Sequence, residues 1–222
     1  QKKNRLLKLE LKKEEQGYDG KLFNEKIFLS KKNKEEYLLK EFFLPFPRLD
    51  VSLGWAATEN SKRAHYLEIV EDKVFLISGL GETIYFEKEN IKKQQLNQKK
   101  IKNNINTILK ENKAELIGIR DLYYEDSFIY ITMQHKNENG FTINVYRAKI
   151  DYKELNFELF FKTDEYWRTY NVFSGGRLEK FKDNKILFSI GFSKEYEASQ
   201  NKNSLLGKII SINKTTRDYE II

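Results

Sequence analysis

The chain is predicted to be all-β: a β-propeller of four-stranded antiparallel blades, with about three to four blades of an incomplete ring present. Three observations predict it. Residues that suit a pleated, half-buried surface are abundant, with 16 Phe, 13 Tyr and many Ile-rich runs. The apolar runs are short and bounded by Gly, Asn and Asp, as strands are. And one pattern recurs, an acidic or Asn turn followed by a β-rich run: Glu71–Ser78, Glu125–Thr132 and Asp183–Ile190. Asp126 follows Asp72 by 54 residues, and Asn184 follows Asp126 by 58. Blades repeat at roughly 40–50 residues, so insertions account for the excess.

In order, Leu7, Leu9 and Leu11 alternate with charges, and a strand fits there at least as well as a helix. Lys26–Ser30 reads as a short strand. Tyr37–Phe46 is the most apolar early run; Pro45 and Pro47 end it and hold the backbone extended. It is expected to pack beneath the first blade. Residues 1–65 are thus N-terminal strands leading into the propeller, and residues 66–222 are blades. Gly79-Leu80-Gly81 joins two strands and opens no helix, so it is a hairpin and not a dinucleotide loop. Asn90–Asn112 is rich in Lys, Asn and Gln and reads as a solvated linker with one helical turn at Ile105–Lys110.

A third strand follows each repeat, at Thr83–Phe86, Thr142–Arg147 and Lys208–Ile212. The loop before it lengthens from unit to unit, and such loops line the end of a propeller where ligands sit. Three blades and a partial one leave two raw sheet edges, which folded proteins avoid. The expectation is a fragment, or closure by association.

The chain has 40 Lys and Arg against 33 Asp and Glu, a net charge of +7. The positive charge is interleaved with Glu along the chain, which favours a solvated surface over a nucleic-acid patch. With no Cys, disulfides and thiolate metal sites are excluded. No apolar run approaches the roughly 18 residues of a membrane span. The two histidines, His65 at a strand start and His135 in a turn, lack a second His at ligand spacing. Both are expected to be exposed or capping. Glu195, Glu197, Gln200, Asn201 and Asn203 offer oxygen ligands, but not at the spacing of a calcium loop, and a plain polar loop is favoured.

Several motifs in order carry a resemblance: Leu116–Leu122 and Phe128–Ile131, then Ser174-Gly175-Gly176-Arg177-Leu178, Lys185–Gly191 and Asn203–Ile210. Together they resemble the soluble quinoprotein glucose/sorbosone dehydrogenases, six-bladed propellers that bind pyrroloquinoline quinone (PQQ) and calcium. The resemblance covers roughly residues 66 to 222. It implies a carbohydrate or other small-molecule partner and a periplasmic or secreted location. In that family a histidine three residues before the Gly-Arg-Leu takes the proton of the sugar hydroxyl while hydride goes to the quinone. Here that position is Phe173, which cannot accept a proton. The family's preceding acidic residue is Val172, its later Asp is Phe192, and its cofactor-site glutamine falls near Lys113. Arg177 matches. The candidate ligand-binding residues are therefore Arg177, Phe173, Phe192 and Lys113, with no catalytic residue and no metal ligand assigned. Two readings stand: a non-catalytic relative that binds a sugar, polymer or protein at its loop face, and a quinone-dependent sugar oxidoreductase completed by residues outside this chain.

Overall fold

Each of the three repeated runs becomes the second strand of a four-stranded antiparallel meander. The structure is a computed structural model that describes residues 22–29, 35–42, 44, 64–168, 175–191 and 196–222. The first blade comprises β3 (His65–Val70), β4 (Lys73–Ser78), β5 (Thr83–Glu87) and β6 (Lys99–Asn103). It is preceded by a two-stranded ribbon, β1 (Leu22–Leu29) and β2 (Glu36–Phe42). Helix α1 (Ile105–Glu111) leads into the second blade. That blade comprises β7 (Glu115–Glu125), β8 (Phe128–Asn137), β9 (Gly140–Lys149) and, after the short β10 (Glu154–Leu155), β11 (Glu158–Phe161). The third comprises β12 (Gly175–Lys180), β13 (Lys185–Ile190), β14 (Ile209–Asn213) and β15 (Tyr219–Ile221), with α2 (Tyr196–Gln200) between β13 and β14. Val74, Phe128 and Leu187 occupy equivalent second strands of neighbouring sheets, as the repeat requires.

The turns that open these second strands share a backbone habit. Glu71, Asp126 and Asn184 all adopt positive φ, at 57°, 52° and 60°. Asn and Asp tolerate that region best, which is why the repeat is marked by acidic and Asn residues.

First strands β3 and β12 both lie against β7, so the three first strands face a common axis. Alternating residues of β4 divide between two cores: Phe75 and Ile77 face the second blade, Val74 and Leu76 the opposite side. The second blade is sandwiched. Ile131 and Met133 pack towards the first blade, whereas Ile143, Val145 and Phe160 pack towards Phe188 and Ile210 of the third. A blade on either side leaves β8 and β9 buried almost throughout, polar Thr132, Gln134, His135, Thr142 and Asn144 included. The β10–β11 path ties two blades at their rims: β10 pairs parallel to β6, then β11 pairs antiparallel to β9.

Two expectations need correction. Asn90–Asn112 is not a plain solvated linker: it holds β6, the fourth strand of the first blade, and α1. Leu96, Ile101, Ile105, Ile108 and Leu109 are buried, because apolar residues at strand and helix spacing sit among the lysines. His135 is not in a turn but within β8, and it is only 4% exposed. The strand runs on past the apolar residues because Gly140, at φ +126°, makes the turn later. The Tyr37–Phe46 run behaves as expected only at its end. Phe42 and Leu44 pack on Val74, Leu76, Ile84 and Phe86 of the first blade, while Tyr37, Leu38 and Leu39 are exposed. Residues 1–17, Phe43 and Pro45 lie outside the described residues.

Candidate functional site

The direction of a meander fixes which connections share an end. The second-to-third-strand loops and the fourth-to-first-strand connections lie together at one end of the blades, here called the loop end. Arg177 stands near it, third in β12. Its Nη1 donates to Asp121 Oδ1 of β7 at 2.8 Å, and the backbone N–H of Leu178 donates to Asp121 Oδ2 at 2.7 Å. One buried carboxylate thus bridges the inner strands of two blades. The Arg177 guanidinium also lies over the Tyr66 ring of β3, 5.3 Å from its centroid, so the third inner strand joins the cluster. Its side chain is nevertheless 69% exposed.

Beside Arg177 is a second cation. A bulge at Arg120 breaks the alternation of β7, between Ile119 and Asp121. Arg120 then donates through Nε to Gln134 Oε1 of β8 at 2.8 Å, with its Nη2 on the same oxygen. Gln134 is fully buried, and its Nε2 has no hydrogen-bond partner among the described residues.

The glycine pair of the Gly-Gly-Arg-Leu motif has a steric reason. Gly176 has φ +104°, and a Cβ there would lie 2.5 Å from Arg120 Cβ and 2.9 Å from Ile143 Cδ1. Thr132 Oγ1 donates to its carbonyl at 2.6 Å. The first residues of β12 therefore lie directly against the second blade, which brings Arg177 to Asp121.

Burial dominates the electrostatics. It pushes the Asp121 carboxyl above its usual range, although the Leu178 N–H and the Arg177 charge pull the other way. Glu68 is raised too, first by burial and then by the charges of Asp121 and Glu179, against the Ile69 N–H. Burial likewise raises the Tyr66 phenol, against the opposing charges of Arg120 and Arg177, so Tyr66 stays protonated at neutral pH. The axis thus presents two guanidinium groups, a phenol and two carboxyl groups. Such a set binds polar or anionic groups, but the described contacts of Arg177 include no imidazole to take a proton.

Of the residues singled out from sequence, Arg177 is in this cluster. Lys113 is exposed in the turn between α1 and β7, with φ 47°. Glu115 and Asp121 are four rungs apart on the β7–β8 ladder, the two bulges taking up the other residues, or about 13 Å along the strand, so Lys113 lies beyond the end of β7 and not beside Arg177. Val172, Phe173 and Phe192 lie outside the described residues, as do Ser193 to Glu195 of the polar loop. Asn201 of that loop forms a turn, its Oδ1 accepting from Asn203 N–H at 2.9 Å. Tyr66, Arg120, Asp121 and Gln134 were not singled out. An Arg-Asp pair inside an apolar strand run was the available signal, since charge in such a run needs a partner.

A sequence profile for the glucose/sorbosone dehydrogenase family matches residues 67–218, and the chain belongs to that family. Among solved structures, a glucose dehydrogenase matches at 12% identity and a TM-score of 0.52, over 68% of this chain and 48% of its own. The soluble aldose sugar dehydrogenase from Escherichia coli, in its apo form, matches at 11% identity and a TM-score of 0.53, over 69% of this chain and 45% of its own. A PQQ-bound aldose sugar dehydrogenase from Streptomyces coelicolor matches at 15% identity and a TM-score of 0.46, over 69% of this chain and 44% of its own. The chain spans less than half the length of these proteins. At such identities the likeness establishes the propeller fold. A search of curated proteins returned no match. No helix among the described residues is long and apolar enough to cross a membrane.

The described residues meet only part of what PQQ needs. Arg177 and Arg120 would suit the carboxylates of a flat anionic quinone, and Tyr66 offers a ring face. Calcium requires clustered oxygen ligands, and among the described residues no group of three or more His, Asp or Glu side chains could hold a metal.

Proposed function

We propose that this chain is a ligand-binding member of the glucose/sorbosone dehydrogenase family that does not itself oxidise sugars. A sugar, a polymer or a protein segment binds at the loop end of the axis, around Arg177. The observation that carries this reading is the state of Arg177. Asp121 and Tyr66 hold its position, yet most of the side chain is open to solvent. Guanidinium held this way loses little freedom on meeting a ligand oxygen. What supports the loss of catalysis is Phe173, a phenyl ring where a proton acceptor is required. The same kinship suggests a periplasmic or secreted protein.

The test is dye-linked oxidation of aldoses by the purified chain after addition of PQQ and calcium. No turnover is expected, and turnover at a rate comparable to a working quinoprotein overturns the proposal. The second reading, a quinone-dependent aldose oxidoreductase completed by residues outside this chain, is favoured by the retained motif order and the family match over residues 67–218. Under that reading a longer polypeptide containing this chain turns over aldoses, and Arg177→Ala lowers the rate.

A further inference from the structure

The loop end carries a second recess, away from Arg177. It lies between α1 and the second blade, and has a volume of about 310 Å³. We propose that it is a ligand site for a neutral polyhydroxylated molecule of monosaccharide size.

The first argument is His135. Its ring lines the recess and the residue is only 4% exposed; among the described residues its buried Nδ1 has no hydrogen-bond partner. Directly across the ladder, Thr142 Oγ1 is also buried and has no partner among the described residues. Two such groups on one face of one blade are unusual, because buried polar atoms are nearly always paired. Desolvation lowers the His135 pKa, against the Met133 carbonyl, so the imidazole is neutral at pH 7. With its one N–H given to the Met133 carbonyl, the neutral ring keeps Nδ1 as an acceptor for a ligand hydroxyl.

The second argument is the lining. Ile108 of α1 and Phe157 supply apolar surface, and Tyr146 and Tyr166 supply rings that also carry hydroxyls. The frame is already fixed. Asn104 ties α1 to the rim strands, donating to the Phe157 carbonyl at 3.0 Å and accepting from its N–H at 2.8 Å. Asn144 Oδ1 accepts from Thr163 N–H at 3.0 Å. A frame held by its own hydrogen bonds needs little ordering when a ligand enters.

The third argument is charge. Among the described residues the one cation of the lining, Lys162, is paired with Asp164, while Glu111 and Glu158 stand at the exposed rim. That arrangement disfavours phosphate and carboxylate ligands. The volume is at the small end of the range of about 300–1,000 Å³ typical of ligand sites. Water alone would need roughly ten molecules at about 30 Å³ each.

The site does not rest on the axial reading. His135 pairs with Leu116 and Asp121 with Thr132, so the two lie at different levels of the second blade and on different partners. The experiment uses the full chain with ¹⁵N-labelled histidine and follows the His135 ring nitrogens by NMR during titration with D-glucose, then with glucuronate and inorganic phosphate. The expected result is a saturable His135 shift with D-glucose, weaker with both anions, lost in Tyr166→Ala and unchanged in Arg177→Ala. Four results overturn the proposal. One is no shift at about 100 mM, a concentration that fills a 1 mM site almost completely. The others are a shift that never saturates, a stronger response to either anion, or loss of the response in Arg177→Ala, which would trace it to the axis.

Discussion

Asp121 is the residue on which the axial site turns, and its replacement separates two accounts of what it does. In Asp121→Ala the Leu178 N–H loses its acceptor inside a buried interface, at a cost of about 1–3 kcal/mol. The ion pair with Arg177 adds little, about 0–1 kcal/mol, because the arginine side chain is 69% exposed and water screens it. The Ala variant should therefore lose about 1–4 kcal/mol, a fall in Tm of roughly 2–16 °C for a chain of this size. Asp121→Asn keeps one acceptor oxygen for the Leu178 N–H and removes a buried charge. Because burial raises the folded pKa of Asp121 above its unfolded value, the contribution of this group to stability is fully present below the unfolded pKa. It is lost as pH rises through the folded value, and at pH 7 the ionised form is a net cost. The Asn variant should thus lie within about 1 kcal/mol of the parent at pH 7. Urea unfolding followed by tryptophan fluorescence, with midpoints compared at constant m, measures both. If Asn falls as far as Ala, the ion pair and not the Leu178 hydrogen bond is the main tie between the blades, and this account of the site is wrong.

Other outcomes follow from single features. Gly176→Ala sets a Cβ 2.5 Å from Arg120 Cβ at a φ of +104°, and should lower stability by at least about 2 kcal/mol, read as a Tm fall in thermal unfolding. Phe188→Ala empties a fully buried position between the second and third blades and should cost about 3–5 kcal/mol in urea unfolding. His135 has a folded pKa below the unfolded value, so the unfolded chain binds more protons as pH drops below about 6.5. The His135 contribution to stability should fall from pH 7 to pH 5, opposite in sign to those of Asp121 and Glu68, and His135→Gln should remove it from the slope; equal slopes in parent and variant would exclude a buried neutral imidazole.

The repeat was legible because each second strand needs the same turn. Glu71, Asp126 and Asn184 mark the places where φ is positive, and a short apolar run follows each. The fourth strand of the first blade was not legible. Ile101 is the only apolar residue of Lys99–Asn103, since a rim strand buries one side chain and keeps the rest in water. His135 was misplaced for a related reason: Gln134, His135 and Lys136 look like a loop, yet a blade flanked by two others buries polar residues that a lone sheet would expose.

From the residue order alone came the all-β class and the recurring unit, because turn chemistry and strand patterning act within a few residues; the likeness to the sugar dehydrogenases rests instead on the order of short motifs such as Gly175-Gly176-Arg177-Leu178. Only tertiary structure decided that Asp121 holds Arg177, that Tyr66 lies under the guanidinium and that His135 lines a recess beneath α1. Asp121 and Arg177 stand 56 residues apart in the chain, and only the packing of one blade against the next brings them to 2.8 Å.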